Sequence, residues 1–193
     1  GTANTGGGGG GNSIQGGAGP TQTTGGAGGS GIVIARTPGL GVFLTTCSTC
    51  APVTSTDGIN SIAQIKASTN LNINDKSLGF DYLVVAGGGA GGQQRGGEKL
   101  FLNPGPNTIT IGGGGTATPS APATRANGTS GNDSSVGYIH ATGGGKGGFQ
   151  DNHPGLTGGS GGGAEGRFAT CGAAGNDPPL SSPIAPAQGF PGG

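Results

Sequence analysis

The chain has 193 residues, room for one large domain or two small ones, and 51 of them are glycine and 13 proline. Without a Gly-X-Y period that excess excludes collagen and would ordinarily signal low complexity. Yet only 8% of the residues are charged, the net charge is zero and 30% are apolar, which fits neither a charge-rich disordered segment nor a basic nucleic-acid binder.

In chain order, residues 1–31 form a glycine tract broken by Asn, Thr, Gln and Ala, and "GIVIART" at 31–37 reads as a strand ended by Pro38. The segment 38–79 is poorer in glycine and rich in Thr, Ser and Asn. Its alternation in "SIAQIKASTNLNIN" predicts strands near 61–66 and 69–74. A strand at 80–86 then runs into a glycine loop. "NTITIG" at 107–112 is a short alternating strand behind the turn "NPGP", and 134–145 contains another strand candidate. From 143 to 193 glycine and proline dominate again. No window of helical length carries a 3.6-residue apolar period free of glycine or proline, so no long helix is expected. No apolar run of 18 residues is present either, which predicts no membrane-spanning helix; no leader peptide is visible, though a mature chain would have lost one.

The stretch "YLVVAGGGAGG", 82–92, carries the dinucleotide fingerprint Gly87-x-Gly89-x-x-Gly92 behind an apolar run. That fingerprint needs a helix immediately afterwards and an acidic residue about twenty positions on. "QQRGGEKLFLNPGP" follows instead, and 105–112 holds no Asp or Glu. Chance matches are abundant in so glycine-rich a chain, and no nucleotide or other cofactor is expected.

Glycine tracts have two structural outlets. One is a flexible linker. The other is a bundle of extended helices with three residues per turn, whose N–H and C=O groups pair with neighbouring runs. Without Cβ atoms the backbones approach closely. Apolar β-branched runs embedded among the glycines favour the bundle. The expected fold is therefore mainly β and irregular, with short strands, packed polyglycine II-type helices and no long α-helix. With six Phe, two Tyr and no Trp or Met, a small β element beside the bundle is the expectation.

Chemistry-bearing residues are few. Cys47 and Cys50 form a C-x-x-C, but "CSTCAPVT" is not helical, and a zinc site would have to recruit Cys171, His140 or His153. Cys47, Cys50 and Cys171 remain disulfide candidates, with Cys171 either paired to a neighbouring chain or buried. His140 and His153, with Asp133, Asp151 and Glu165, show neither nucleophile-elbow nor metal-ligand spacing. The sequence accordingly predicts no catalytic residue, no metal site and no enzyme. Asn127 and Asn132 head glycosylation sequons of a kind that abundant Asn and Thr produce freely.

Four motifs, "FDYLVVAGGGAGG", "NPGPNTITIGGGG", "NDSSVGYIHATGGGKGG" and "GGAGGSGIVIARTP", resemble in wording and spacing the glycine-rich domain of bacteriophage tail fibres and adhesins, also found in some bacterial surface proteins. The resemblance implies a non-enzymatic structural or receptor-contacting role on a virion surface or outside the cell. Copies of the chain, and possible host receptors or glycans, are the implied partners. In the resembled domain the motif at 28–36 closes and the motif at 80–92 opens, so this chain reads out of phase. That suggests three units: 1–37 ending one glycine-rich domain, 38–79 a β connector, and 80–193 the start and body of a second. One period of a tandem repeat, a piece of a longer fibre, or a subunit completed by its neighbour each accounts for the order. Aromatic and basic residues in the glycine loops, Phe149, His153, Arg167, Phe168 and Phe190, are the receptor-contact candidates. A fibre or filament component is the first expectation, an adhesin tip the second and a bacterial extracellular matrix protein the third.

Overall fold

In the structure, a computed structural model, residues 1–9, 25–40, 42–45, 53–73, 79–89, 91–117, 128–148, 154–163, 172–175 and 189–192 are described. They contain ten strands and, among the described residues, no helix. The strands are β1 (Ile32–Pro38), β2 (Phe43–Thr45), β3 (Val53–Thr56), β4 (Asn60–Ile65), β5 (Thr69–Ile73), β6 (Gly79–Val85), β7 (Gln94–Phe101), β8 (Gly105–Thr110), β9 (Ser134–Val136) and β10 (Ile139–Ala141). They form two antiparallel sheets, ordered β3-β4-β1-β6-β7 and β10-β9-β8-β5-β2.

Alternation decides which face each strand buries. In β1, Val33, Ala35 and Thr37 point inward between the more exposed Ile32, Ile34 and Arg36, and in β4 Ser61, Ala63 and Ile65 do the same. The inner residues of both sheets join one apolar cluster that includes Val33, Ile65, Leu71, Phe80, Leu100 and Ile109. Phe43 of one sheet meets Phe80 of the other with ring centroids 5.6 Å apart. The result is a sandwich with a continuous core, larger than the small β element the aromatic count suggests. Its filling is aliphatic rather than aromatic.

Strand β7 overturns the expectation of a loop after the glycines at 87–92. Its charges and Gly96-Gly97 hide a strand at the sheet edge, where the neighbouring strand supplies the missing side chains: Leu83 lies opposite Gly96 and Tyr82 opposite Gly97. A bulge near Glu98 and Lys99, with Lys99 at φ 60, breaks the ladder there. Bulges and charges of this kind discourage edge-to-edge pairing. The short strands β2 and β3 also escaped the alternation, because three or four residues carry too little period to detect.

The two sheets end together. At one end, β1 begins, β6 ends, β8 ends, β9 begins and β10 ends, and each continues directly into a glycine run. The core narrows toward that end. Along β6 the inward positions read Phe80, Tyr82, Val84, Ala86 and then Gly88, and along β10 Ile139, Ala141 and Gly143. Side chains shrink until the backbones of opposite sheets touch. Strand β1, from the segment 1–37, pairs with both β4 and β6, the latter through Ile32–Arg36 against Asp81–Val85.

Candidate functional site: the glycine bundle and its junction

Beyond the sandwich, run 86–89 is surrounded by six others. It hydrogen-bonds to run 6–9 (Gly9 N–H to Gly89 O, 2.8 Å), run 26–31 (Gly88 N–H to Gly29 O, 2.8 Å) and run 112–116 (Gly115 N–H to Gly88 O, 2.7 Å). Further bonds reach run 129–133 (Gly87 N–H to Asn132 O, 3.0 Å), run 142–148 (Gly144 N–H to Gly87 O, 3.0 Å) and its own return at 91–93 (Ala86 N–H to Gln93 O, 3.0 Å). The six neighbours also bond to one another around the ring, for example Gly28 N–H to Gly115 O and Gly131 N–H to Gly144 O, both 2.9 Å. This is a closed hexagon of backbones. Runs 154–157, 159–163, 172–175 and 189–192 extend it on one side through bonds such as Gly161 N–H to Phe190 O and Gly192 N–H to Ala173 O, both 2.9 Å.

The period is three. Gly144, Gly145 and Lys146 donate in turn to Gly87 O, Ser160 O and Ser130 Oγ on three different neighbours, and Gly148 returns to the second of them at Gly163 O. Exposure repeats the same way: Gly112 and Gly115 are buried while Gly113 and Thr116 are exposed. A three-residue turn without internal hydrogen bonds is the polyproline II geometry, here built from glycine.

Close approach explains the composition. A Cβ on Gly28, Gly87, Gly88 or Gly114 would fall within 3.0 Å of a backbone carbonyl oxygen of an adjacent run, a separation that real Cβ atoms essentially never show. At Gly113 the nearest atom would be 3.7 Å away, and at Gly147 nothing lies within 4 Å. Residues with side chains accordingly occupy outward positions, as Thr116, Thr129, Asn132 and Asp133 do.

The junction is polar and buried. Gln93, fully buried, donates its N–H to Thr142 O (2.8 Å) while its Oε1 accepts from Thr142 N–H (3.1 Å) and from Arg95 Nε (3.2 Å). Its side-chain amide thus acts as one more peptide group between sheet and bundle. Ser134, also fully buried, accepts from Gly112 N–H through Oγ at 2.9 Å, and Asp133 Oδ1 accepts from Gly143 N–H at 2.8 Å. Partial burial lowers the Arg95 pKa below its ordinary value.

The profile of a family described as a glycine-rich domain matches residues 64–193. This chain belongs to the glycine-rich domain family. No curated protein and no solved structure matches it. The part matched by the family begins inside β4, while runs 6–9 and 26–31 and strand β1 precede it. Two of the six neighbours of run 86–89 in this glycine-rich domain therefore come from sequence ahead of the match.

Of the predicted contact residues, Phe190 is placed: its carbonyl is bonded into the bundle and its side chain is 77% exposed. Phe149, His153, Arg167 and Phe168 lie outside the described residues, as do Cys47, Cys50 and Cys171. His140 is exposed on β10, and Asp133 accepts from Gly143 N–H at the edge of the bundle. Glycine fingerprint positions Gly87, Gly89 and Gly92 all lie in the hexagon, bonded to other runs rather than shaped as a loop ahead of a helix. Sequence reasoning missed Gln93 and Ser134. Their one signal is position, a polar residue where a glycine run meets a strand. No helix of the described residues is long and apolar enough to cross a membrane.

Proposed function

We propose that this protein is a non-enzymatic structural component of an extracellular or virion-surface fibre, in the first instance a bacteriophage tail fibre, assembled with copies of itself. The observation that carries this reading is the closed hexagon around run 86–89. A body held by peptide hydrogen bonds in every lateral direction keeps its shape with few side chains, and its outward positions are free to vary. That suits a shaft exposed to solvent and mechanical load, and the four motifs shared in wording with tail-fibre domains point to the same setting. The test is immunogold electron microscopy with antibodies raised against the chain. Gold along the tail fibres of virions is expected. Gold on bacterial surface filaments would favour an extracellular matrix protein, and no labelling of either structure would overturn the reading.

A receptor-contacting tip is the second reading, favoured by Phe190. An exposed aromatic ring on a backbone fixed by the lattice is a preorganised contact for a sugar face or a protein receptor. Phe190→Ala should then lower binding of the purified chain to host cells; unchanged binding by the variant would remove this reading.

A further inference from the structure

We infer that Arg95 anchors an oxyanion-binding site on the flank of the sandwich, beside its junction with the bundle, and that this site takes the carboxylate or phosphate of an acidic glycan. The inference goes beyond the fibre reading and does not rest on it. A partly buried charge is ordinarily paired. Arg36, the other arginine among the described residues, has its partner on the outer face of the sheet: it bonds to its register neighbour Asp81 at 2.6 Å, and the carboxylates of Asp57 and Glu98 act on it as well. Arg95 stands on the opposite face. Its register partner is the fully buried Val84, and the next inward side chain of β6 is Tyr82, packed against the core. Burial lowers the Arg95 pKa, Tyr82 acts the other way, and no carboxylate among the described residues contributes. The acidic groups are gathered around the other arginine.

The guanidinium is also held in place. Its Nε donates to Gln93 Oε1 at 3.2 Å, and the same oxygen accepts from Thr142 N–H at 3.1 Å on a side chain that is fully buried. Among the described residues nothing accepts from the two Nη groups of Arg95. That leaves one edge of a fixed planar fork for a ligand. Tyr82 adds a second donor on the same face. It reaches over β7 at Gly97, where its hydroxyl oxygen would lie 2.6 Å from a Cβ, so glycine is what admits the phenol there. A fork with two free donors takes both oxygens of a carboxylate or phosphate at once, and partial removal from water strengthens the pairing. The chain is neutral overall, so it exerts no general pull on anions, and recognition would come from this local geometry.

The test is a nuclear magnetic resonance titration of the full chain with sodium glucuronate, with glucose 6-phosphate and, as the neutral control, with glucose, all at one ionic strength. The Arg95 Nε–H resonance and the Gly96 and Gly97 amides should shift saturably with one or both anions and stay still with glucose. The tighter of the two anions tells a carboxylate site from a phosphate site. Arg95→Lys keeps the charge but loses the fork, and it should weaken binding about tenfold; unchanged amide positions elsewhere would show that the variant keeps the fold. Shifts that sodium chloride reproduces, shifts that persist undiminished in Arg95→Lys, or no shift with either anion overturn the proposal. Each of those results leaves the fibre reading, tested separately by immunogold labelling, in place.

Discussion

Strands β1, β6, β8, β9 and β10 of the sandwich continue as runs of the bundle, yet the two halves are held together by opposite means. In the sandwich each strand bonds sideways to at most two neighbours, and the gap between sheets, about 10 Å in such packings, is filled by side chains. In the bundle run 86–89 bonds to six neighbours and no side chain intervenes. Strands β6 and β9 belong to different sheets, but one turn further along their continuations are joined by Gly87 N–H to Asn132 O. The taper from Phe80 to Gly88 turns one arrangement into the other. What the contrast teaches is that removing side chains in a graded way changes the direction of hydrogen bonding from a plane to a lattice. Neither half is self-evident alone: glycine backbones lose about 1–2 kcal/mol or more of conformational freedom each on ordering, while a hydrogen bond returns a net of roughly 0.5–1.5 kcal/mol. The strands hold the run ends in place, and that anchoring offsets much of the loss.

The sharpest way to break the comparison is a single methyl group. Gly88→Ala places a Cβ within 3.0 Å of the Gly6 and Gly7 carbonyl oxygens, with buried backbone on every side and no flexible neighbour to yield. We expect a loss above about 4 kcal/mol, at the extreme of single substitutions. Gly113→Ala adds the same methyl where the nearest atom would be 3.7 Å away and φ is ordinary. It should be neutral or stabilise by about 0.4–1 kcal/mol, because it restricts the unfolded chain. Thermal unfolding of the two variants side by side decides the matter; similar melting temperatures would mean that backbone approach does not govern the bundle.

Phe80→Ala attacks the other half. It empties a fully buried site against Phe43 and should cost about 3–5 kcal/mol. Because run 86–89 is the continuation of β6, hydrogen exchange should accelerate at Gly87, Gly88 and Gly144 as well as in the strands. Acceleration confined to the strands would show that the bundle is an independent cooperative unit.

The junction sharpens the comparison further. Gln93→Leu keeps an apolar body but leaves the Thr142 N–H without its side-chain acceptor, and Ser134→Ala does the same to Gly112 N–H. Each should cost about 1–3 kcal/mol, the usual loss for a buried donor left unmet. Exchange rates should rise first at Thr142 in one variant and at Gly112 in the other. Uniform acceleration in both would assign the loss to packing rather than to these bonds.

How much of this was legible in the sequence follows from which physics leaves a local trace. "GIVIA" and "DYLVVA" announce β1 and β6 because β-branched residues crowd a strand buried between others, and "SIAQI" alternates as β4 does. Three-residue runs of glycine announce close backbones without saying whose. That six of them encircle 86–89 depends on contacts between positions as distant as Gly9 and Gly89 or Gly28 and Gly115, which no local pattern encodes. Strand β7 was hidden for a related reason: its Gly96 and Gly97 borrow cover from Leu83 and Tyr82 on the strand beside it. The contact candidates named from the sequence are aromatic and basic residues of the glycine loops, and of these Phe190 lies among the described residues, exposed. The other large exposed apolar residues, Ile59, Leu40, Phe101 and Tyr138, sit in turns or at a strand end of the sandwich, and only the assembled strand order shows where they fall.

The smallest expected effect separates the regions by acidity. Asp57 caps the β3–β4 turn: its Oδ1 accepts from Asn60 N–H at 2.7 Å and Ile59 N–H at 3.1 Å, and its Oδ2 from Asn60 Nδ2 at 2.7 Å. These bonds, the Asn60 side chain first, favour the carboxylate and hold its pKa at about 2 rather than the ordinary 3.8. A carboxyl whose pKa falls on folding stabilises the folded state above its unfolded pKa. That contribution is complete above 3.8 and is lost as the pH falls through about 2. The peptide bonds linking Gly87, Gly88 and Gly89 to their neighbours carry no titrating group. Acidification across this window should therefore loosen the β3–β4 turn ahead of the hexagon, a difference that hydrogen exchange reads at Ile59 and Asn60 against Gly87 and Gly88. Asn60→Ala removes the largest cause and should return the Asp57 titration, followed by carboxyl chemical shift, toward 3.8. A midpoint that stays near 2 in that variant would move the cause from the Asn60 side chain to the two backbone N–H groups.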